Sequence, residues 1–404
     1  MKLKSAVNSK NVKTHNRILI RDIIRKLGPI ARYEVAKEAG LTPPTVTMVV
    51  NKLINDGVVM EVGFGESSGG RRPVLLELNP KAGYVFVVRL QRDEAVTALF
   101  DLGGNVLSHY KQALDTSEAE EVVAAIGNSY DWLIETTGIE RKRILCCGLA
   151  SPGLVNSQRG AIEHSSNLQW DKVPLGAMLS KRLYGIPVHI ENISNAAALA
   201  EKEYGCGRGY QDLIYISLSV GVGAGIIMDG EIYGGSKGYA GEIGHTTLVP
   251  VGGPKCACGR YGCLEAICGL RAIMERLNKE LPERIWEEHG LNKRKLTIHD
   301  LLLPSFLDIK EVKNILEETG KWVGIVVANL VSIFNPSLII LGGEVPKTGD
   351  QFISAVVNEM NRRMLKEFVG TVKVISSTME EDPPLIGAYT LALEMLFSIE
   401  KWDL

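Results

Sequence analysis

Residues 245–265, HTTLVPVGGPKCACGRYGCLE, hold one histidine and three cysteines within a short stretch. One residue separates Cys256 from Cys258, and four residues separate Cys258 from Cys263. Three thiolates so close together, with glycines that let the chain turn between them, favour a tetrahedral zinc site. His245 is the candidate for the fourth ligand. The alternative is three free thiols buried as small hydrophobic groups. A closed set of four protein ligands would be structural rather than catalytic.

The cysteine pattern also bears on the compartment. The chain has seven cysteines, an odd number, and three of them cluster, which favours a reducing cytoplasm over a disulfide framework. The remaining four are interpreted as small buried hydrophobic groups: Cys146, Cys147, Cys206 and Cys268. The N-terminus shows no secretory signal, and the apolar run at 323–334 is too short to span a bilayer. We therefore expect a cytoplasmic protein without a membrane partner, in which 323–334 is a core helix.

Charge is unevenly distributed along the chain. Residues 1–81 contain 14 Lys and Arg against 7 Asp and Glu, whereas the remainder contains 31 against 40. A basic N-terminal part ahead of an acidic body indicates that the N-terminal part meets a polyanion. The alternative is an ordinary solvated surface.

The basic N-terminal part contains two segments whose apolar residues recur at helical spacing. Residues 16–27 predict a first helix, which Gly28-Pro29 ends; its apolar residues are Ile18, Leu19, Ile23 and Leu27. Residues 31–42 predict a shorter helix that ends at Gly40 and turns inward Val35, Ala36 and Ala39.

A third helix begins at Thr42, a favourable N-cap, followed by Pro43 at the first helical position. Its predicted core face consists of Val46, Val49, Val50 and Leu53. Helix, turn and a second helix that exposes small polar groups are typical of a recognition helix in the major groove. The candidate DNA contacts are Thr42, Pro44, Thr45, Thr47, Met48, Asn51 and Lys52.

Two strand-like segments follow, joined by a glycine-rich hairpin that carries Arg71 and Arg72. Paired arginines on such a hairpin can reach phosphates or a minor groove. Residues 1–80 therefore predict a winged helix-turn-helix domain that binds DNA. The alternative is a small helical subdomain that serves dimerisation or protein contact.

From Gly83 onward, strands alternate with helices, which predicts an α/β body. Several motifs then resemble the ROK family (repressors, open reading frames and sugar kinases) along the whole chain. They are SSGGRRP (67–73), CGLASPGLV (147–155), HIENISNAAALAE (189–201), SVGVGAGIIMDG (219–230), GEIGH (241–245) and GPKCACGRYGCLE (253–265). The basic head and the ESSGGRRP segment look most like xylose-type repressors.

The resemblance implies a two-lobed body, residues 81–404, of the actin-like or ribonuclease-H-like ATPase fold, with a sugar cleft between the lobes. The smaller lobe would comprise about 81–194 plus 385–404, and the larger about 195–384 with a zinc knuckle at 245–263. The implied zinc ligands are His245, Cys256, Cys258 and Cys263. The implied sugar-binding residues are Asn192, Glu242, His245 and Glu265. Alternatively, Glu242 and Glu265 support the zinc ligands.

Three departures from the family's kinases predict that the body is not an enzyme, and no catalytic residue is assigned. Ile193 stands where the catalytic aspartate belongs, and it cannot accept a proton. The DxGGT phosphate motif is replaced by VRLQR, residues 88–92. The second phosphate motif keeps its turn but reads SVGVG at 219–223, without the family's threonine.

The sequence therefore predicts a sugar-responsive repressor of carbohydrate uptake or catabolism genes, with xylose as the first effector to test. Its partners would be operator DNA, a sugar or sugar-phosphate effector and a second copy of itself, in a homodimer or homotetramer. Two rivals remain: a sugar kinase with a regulatory DNA-binding head, and a repressor whose body senses a sugar-uptake protein.

Overall fold

The computed structural model describes residues 9–66, 72–289 and 296–398. Within these ranges, the N-terminal part, called the head below, contains three helices and a small antiparallel sheet of order β1-β3-β2. The bounds are α1 Ser9–Leu27, β1 Ile30–Ala31, α2 Arg32–Ala39, α3 Pro43–Asn55, β2 Val59–Phe64 and β3 Val74–Leu78. Two helices joined by a turn, followed by a β-hairpin, form the winged-helix arrangement.

Local signals set the ends of these helices. Gly40 ends α2 in a left-handed conformation (φ 62°), which glycine adopts without strain. The face of α1 differs from the prediction: Ile20 and Ile24 are fully buried, whereas Leu27 is 50% exposed. The C-terminal helix of the chain contacts α1 at Arg21, which is also buried.

The first lobe of the body is built on a five-stranded sheet of order β11-β7-β4-β5-β6. A smaller sheet, β10-β9-β8, lies beside it. The bounds are β4 Tyr84–Gln91, β5 Glu94–Asp101, β6 Val106–Ala113, α4 Ala119–Thr137, β7 Ile144–Ser151, β8 Leu154–Asn156, β9 Ala161–Ser165, β10 Trp170–Val173, α5 Leu175–Arg182 and β11 Val188–Asn192.

The second lobe carries a five-stranded sheet of order β14-β13-β12-β15-β16. Its elements are α6 Ile193–Tyr204, β12 Leu213–Leu218, β13 Val222–Met228, β14 Glu231–Ile232, α7 Leu264–Cys268, α8 Leu270–Glu280, α9 Glu283–Glu288, α10 Ile298–Leu301, α11 Pro304–Leu307, α12 Lys310–Phe334, β15 Leu338–Gly342, α13 Asp350–Arg363 and β16 Lys373–Ser376. The last helix, α14 Pro383–Ser398, packs against β4 and β7 of the first lobe and against α6. The predicted core helix at 323–334 forms the buried C-terminal half of α12.

The two five-stranded sheets have the same topology. Each is an antiparallel meander of three strands, and two parallel strands extend it from the first strand of that meander. The second sheet thus repeats the first, and such a repeat brings the carboxyl ends of the parallel strands toward a shared cleft.

The hydrophobic core of the head is continuous with that of the first lobe. One cluster of buried residues joins Ile20 and Val50 of the head to Val85 of β4 and Leu385 of α14. The head is therefore packed onto the body. Across the described residues, we find no helix long and apolar enough to cross a membrane.

Candidate functional site

The predicted metal ligands come together in the structure. His245 ends a short 3₁₀ turn, and Cys263 immediately precedes α7, with a bridge between Thr247 and Cys263 holding the two segments side by side. Gly262 is required at this point, since a Cβ there would lie 1.9 Å from the Val249 carbonyl oxygen. The segments that carry the ligands are thus fixed by backbone contacts.

The four ligand atoms fit a metal ion. One atom each of His245, Cys256, Cys258 and Cys263 all lie within 4.8 Å of one another. The Sγ atoms of Cys258 and Cys263 are 3.8 Å apart, and Cys256 Sγ lies 3.7 Å from His245 Nδ1. Tetrahedral zinc with Zn–S bonds of about 2.3 Å requires sulfur–sulfur separations of about 3.8 Å. The cluster is therefore compatible with zinc.

The thiols of this cluster differ in pKa. Burial raises the pKa of Cys258, but hydrogen bonds from the backbone and side chain of Arg260 outweigh it, and the pKa falls to about 7. Burial raises the pKa of Cys256 to about 12. Three thiolates side by side repel one another, so a bound cation is the natural way to hold all three deprotonated.

Two carboxylates stand next to the metal ligands. Glu265 Oε2 accepts a hydrogen bond from the Val222 backbone N–H at 3.1 Å, and Oε1 lies 3.7 Å from Cys256 Sγ. Burial raises the pKa of Glu242; His245 opposes this shift and Glu265 adds to it. Glu242 therefore interacts electrostatically with Glu265 and with His245 of the cluster.

Asn192 lies at the start of α6 and is occupied by backbone partners. Its Oδ1 accepts from the Ser194 N–H at 2.8 Å, and its Nδ2 donates to the Gly153 carbonyl at 2.9 Å. Glu191 is equally engaged, with its carboxylate accepting from the Asn192 N–H at 2.7 Å and from Ser157 Oγ at 2.8 Å. Neither side chain is placed as a free general base.

The segment that replaces the first phosphate motif is filled by ion pairs. Arg89, 7% exposed, pairs with Glu94 at 2.6 Å and, through Nε, with Asp382 just ahead of α14. Lys111 also pairs with Glu94, at 2.7 Å. The guanidinium of Arg89 is thus engaged by carboxylates from β5 and from the segment that leads into α14.

A cavity of about 730 Å³ lies next to this segment. Three turns of the first lobe line it: Arg92-Asp93, residues 113–117 and residues 167–169. A Cβ built on Gly221 would lie 3.6 Å from Asn167 Nδ2 and 3.3 Å from Glu265 Oε2, so these side chains from the two lobes approach each other. Sequence reasoning missed Asn167, whose preceding SS pair and following Leu-Gln-Trp carry no metal or phosphate pattern.

The structure places the candidate DNA-binding residues on one face of α3 and at the hairpin. Thr42, Pro44, Thr47, Met48, Asn51 and Lys52 are exposed, and Thr45 is half-buried. Thr45 instead shares a hydrogen bond of 2.9 Å with Thr42. Arg72 is exposed, and its Nε donates to the Gly65 carbonyl at 2.9 Å. Arg71 lies outside the described residues.

Comparison with known proteins bears on this combination of head, cluster and cleft. Residues 86–395 match the ROK family. The chain belongs to the ROK family. A “Putative xylose repressor” of Caldicellulosiruptor sp. (strain Rt8B.4) is 32% identical over 395 residues, 97% of this chain and 98% of that protein. The DNA-binding transcriptional dual regulator NagC of Escherichia coli (strain K12) is 28% identical over 380 residues, 94% of this chain and 92% of NagC.

Solved structures confirm the predicted fold class. A crystal structure of a ROK family transcriptional regulator, a homolog of the E. coli MLC protein, superposes with a TM-score of 0.83 at 26% identity, covering 96% of this chain and 98% of that chain. A ROK family glucokinase from Streptomyces griseus, in complex with glucose and AMPPNP, has a TM-score of 0.68 at 27% identity and covers 77% of this chain and 100% of its own. The body therefore has the two-lobed kinase-like fold, and the regulator structure extends the match to the head.

Proposed function

We propose that the chain is a sugar-responsive DNA-binding repressor. The observation that carries this proposal is the exposed polar face of α3 in a winged-helix head, fused to a ROK body. A head of about residues 1–80 would read the operator, and a body of about 81–404 would sense the effector. The names of the relatives, a xylose repressor and NagC, support the same reading and make xylose the first effector to test.

We further propose that the body has no kinase activity. Ile193 cannot act as a base, and Glu191 is held by hydrogen bonds within its own loop. Arg89 stands in the segment that would cradle phosphates and is already paired with carboxylates. Loss of a positioned base and of a phosphate cradle each typically costs several powers of ten in rate. ATP turnover with xylose, glucose, mannose or N-acetylglucosamine would overturn this part of the proposal.

We propose zinc as the metal and His245, Cys256, Cys258 and Cys263 as its ligands. Zinc bound there would stabilise the loop between β14 and α7, which otherwise has little regular structure. The same loop carries Glu242 and His245, so the metal would also fix groups that can hydrogen-bond sugar hydroxyls. Asn192 and Glu265 complete the proposed sugar-binding set.

The proposed assembly is a homodimer or homotetramer in which two heads on a two-fold axis read a palindromic operator. Arg71 and Arg72 would contact phosphates or the minor groove beside the bases read by α3. Ligand binding would change the relative orientation of the two lobes and thereby the distance and orientation between the two heads.

Selection of bound sequences from a random DNA library tests the proposal. A repressor of this type is expected to enrich a palindrome, and binding of the enriched DNA should change when the right sugar is added. Failure to enrich any sequence would contradict DNA reading. A palindrome whose binding responds to no sugar would favour the alternative in which the body senses a sugar-uptake protein.

A further inference from the structure

Helix α14 runs from the cleft to the head. At its start, Asp382 pairs with Arg89 of β4, and its carboxylate accepts from the Leu385 N–H at 3.3 Å. The helix spans 16 residues, Pro383–Ser398, and is therefore about 24 Å long. Its last turn contacts α1 of the head. One helix and the residue before it thus contact both β4 of the body and α1 of the head.

The contact at the head is made by buried cations. Arg21 is 1% exposed, and its Nη2 donates to the carbonyl oxygens of Phe397 at 2.9 Å and Leu396 at 3.5 Å. Its guanidinium lies 5.0 Å from the centre of the Phe397 ring, and that of Arg25 lies 5.2 Å from the same ring. Cations at the carbonyl end of a helix and over an aromatic face are both favourable.

Arg21 stays charged in this setting. Burial lowers its pKa to about 10, Arg17 adds to the effect and Asp22 opposes it. At neutral pH the guanidinium is therefore still protonated and needs the carbonyl oxygens it contacts. Moving the head away from α14 would break these hydrogen bonds and the contact with the Phe397 ring.

The remainder of α14 is tightly packed and cannot slide independently. A Cβ on Gly387 would lie 1.7 Å from the Ala196 carbonyl oxygen of α6, and a Cβ on Gly148 of β7 would lie 2.0 Å from the Ala388 carbonyl oxygen. Helix α6 is an element of the second lobe and β7 of the first. Helix α14 is therefore packed against elements of both lobes, so a change in the relative position of the lobes acts on the helix that Arg21 contacts.

We propose that Arg21 is a positioning residue for DNA reading: by gripping the C-terminal end of α14, it sets the direction in which the head presents α3. This inference rests on the proposed DNA-binding function. It adds that the protein's preference for one spacing between half-sites depends on a contact between α1 and α14, which involves none of the residues proposed to touch DNA.

The test compares four variants of the full-length protein. Arg21→Met removes the charge and the donors but keeps an apolar stem. Phe397→Leu removes the ring on the α14 side of the same contact. Arg17→Met is the matched control, since Arg17 pairs with Asp56 inside the head at 2.7 Å. Arg21→Lys keeps the charge and is expected to rescue part of the function.

The measurement is binding to the palindrome selected by the wild type, to a version with two base pairs inserted between the half-sites, and to a single half-site. Because two base pairs rotate one half-site by about a fifth of a turn, the wild type and Arg17→Met should lose about tenfold or more in affinity on insertion. Arg21→Met and Phe397→Leu should lose less than about threefold. All variants should bind the single half-site with unchanged affinity, which a merely unfolded head would not do.

A folded Arg21→Met variant that keeps the wild-type spacing preference would overturn the inference. If Arg21→Met does not fold, the same result with Phe397→Leu overturns it. If the wild type selects no DNA at all, the proposed function fails, and this inference fails with it. The inference is supported if Arg21→Met and Phe397→Leu tolerate the inserted base pairs while the wild type and Arg17→Met do not.

Discussion

At the scale of single residues, the spacing of the cysteines predicts a metal site, and glycines allow the backbone geometry that brings the ligands together. CxC with a third cysteine five positions on predicts a metal site, and the structure closes that set with His245. The geometry depends on positions such as Gly262, where any side chain would collide with the Val249 carbonyl. The metal ligands can therefore be predicted from the sequence, because the three cysteines lie close together in the chain.

Replacement of Cys258 by serine should remove zinc and destabilise the body. Serine is a poor zinc ligand, and the binding free energy of a structural metal contributes directly to folding. We expect the metal content to fall from about one zinc per chain to near zero and the Tm to fall on the order of 10 °C. Elemental analysis and thermal unfolding measure the two effects. Cys206→Ser, outside the cluster, is the control; full stability of the wild type after chelation would contradict the prediction.

Replacement of Arg89 by methionine should destabilise the protein strongly. Arg89 is almost fully buried, whereas Glu94 and Asp382 are half-buried and Glu94 keeps Lys111 as a partner, so the main loss is the pair between Arg89 and Asp382. Breaking a buried pair costs up to about 3–5 kcal/mol of unfolding free energy, and the partial exposure of the carboxylates places this one toward the lower end. Denaturant unfolding measures this loss. Arg141→Met is the control, because Arg141 pairs with Asp131 at the surface and its removal should leave the unfolding free energy nearly unchanged.

At the scale of elements, the sequence predicts what is local and misses what is brought together by folding. The bounds of α3 follow from Thr42 and Pro43, and its buried face from helical spacing. Helical spacing did not predict the burial of Arg21 on α1, because Phe397, which contacts it, lies far along the chain. The pair between Arg89 and Asp382 is equally distant in sequence. Residues that face a remote element carry no local pattern.

Two substitutions on α3 should separate base reading from phosphate contact. Asn51 and Lys52 are both exposed and adjacent, but their side chains differ in chemistry. Asn51→Ala should cost about 1–3 kcal/mol on the selected operator and relax specificity at one position. Lys52→Ala should weaken binding to all sequences alike and reduce the salt slope by about one. Titrations on matched and unrelated DNA at several salt concentrations distinguish these outcomes; identical, sequence-independent effects would refute the assignment of Asn51.

At the scale of the whole molecule, the head and the body form one mechanical unit. Their cores are continuous, and the two helices that begin near the cleft, α6 and α14, pack against each other along their length. A ligand that changes the relation of the lobes therefore acts on an element already attached to the head. In the proposed repressor, this connection would carry the effector signal from the body to the head.

The wild-type protein should be stabilised selectively by one sugar. The proposed sugar site would offer carboxylate and imidazole groups from Glu242, Glu265 and His245, with the Asn167 amide near Glu265, and these groups can donate to and accept from several hydroxyls. A ligand that binds only the native state at a hundredfold over its dissociation constant adds about 2.7 kcal/mol to the unfolding free energy. Thermal unfolding with xylose, glucose, mannose, N-acetylglucosamine and their phosphates detects such a gain.

Xylose is expected to give the shift, and Glu265→Gln should abolish it while the zinc content stays unchanged. The glutamine keeps an acceptor for the Val222 N–H, so the loop should hold while the negative charge beside the cleft is lost. A shift with another member of the panel would change the identity of the effector and leave the site in place. A variant that still responds fully would remove Glu265 from the sugar-binding set and leave it as a support for Cys256. If no sugar shifts the wild type, the cleft does not sense a free sugar, and a partner protein becomes the effector to seek.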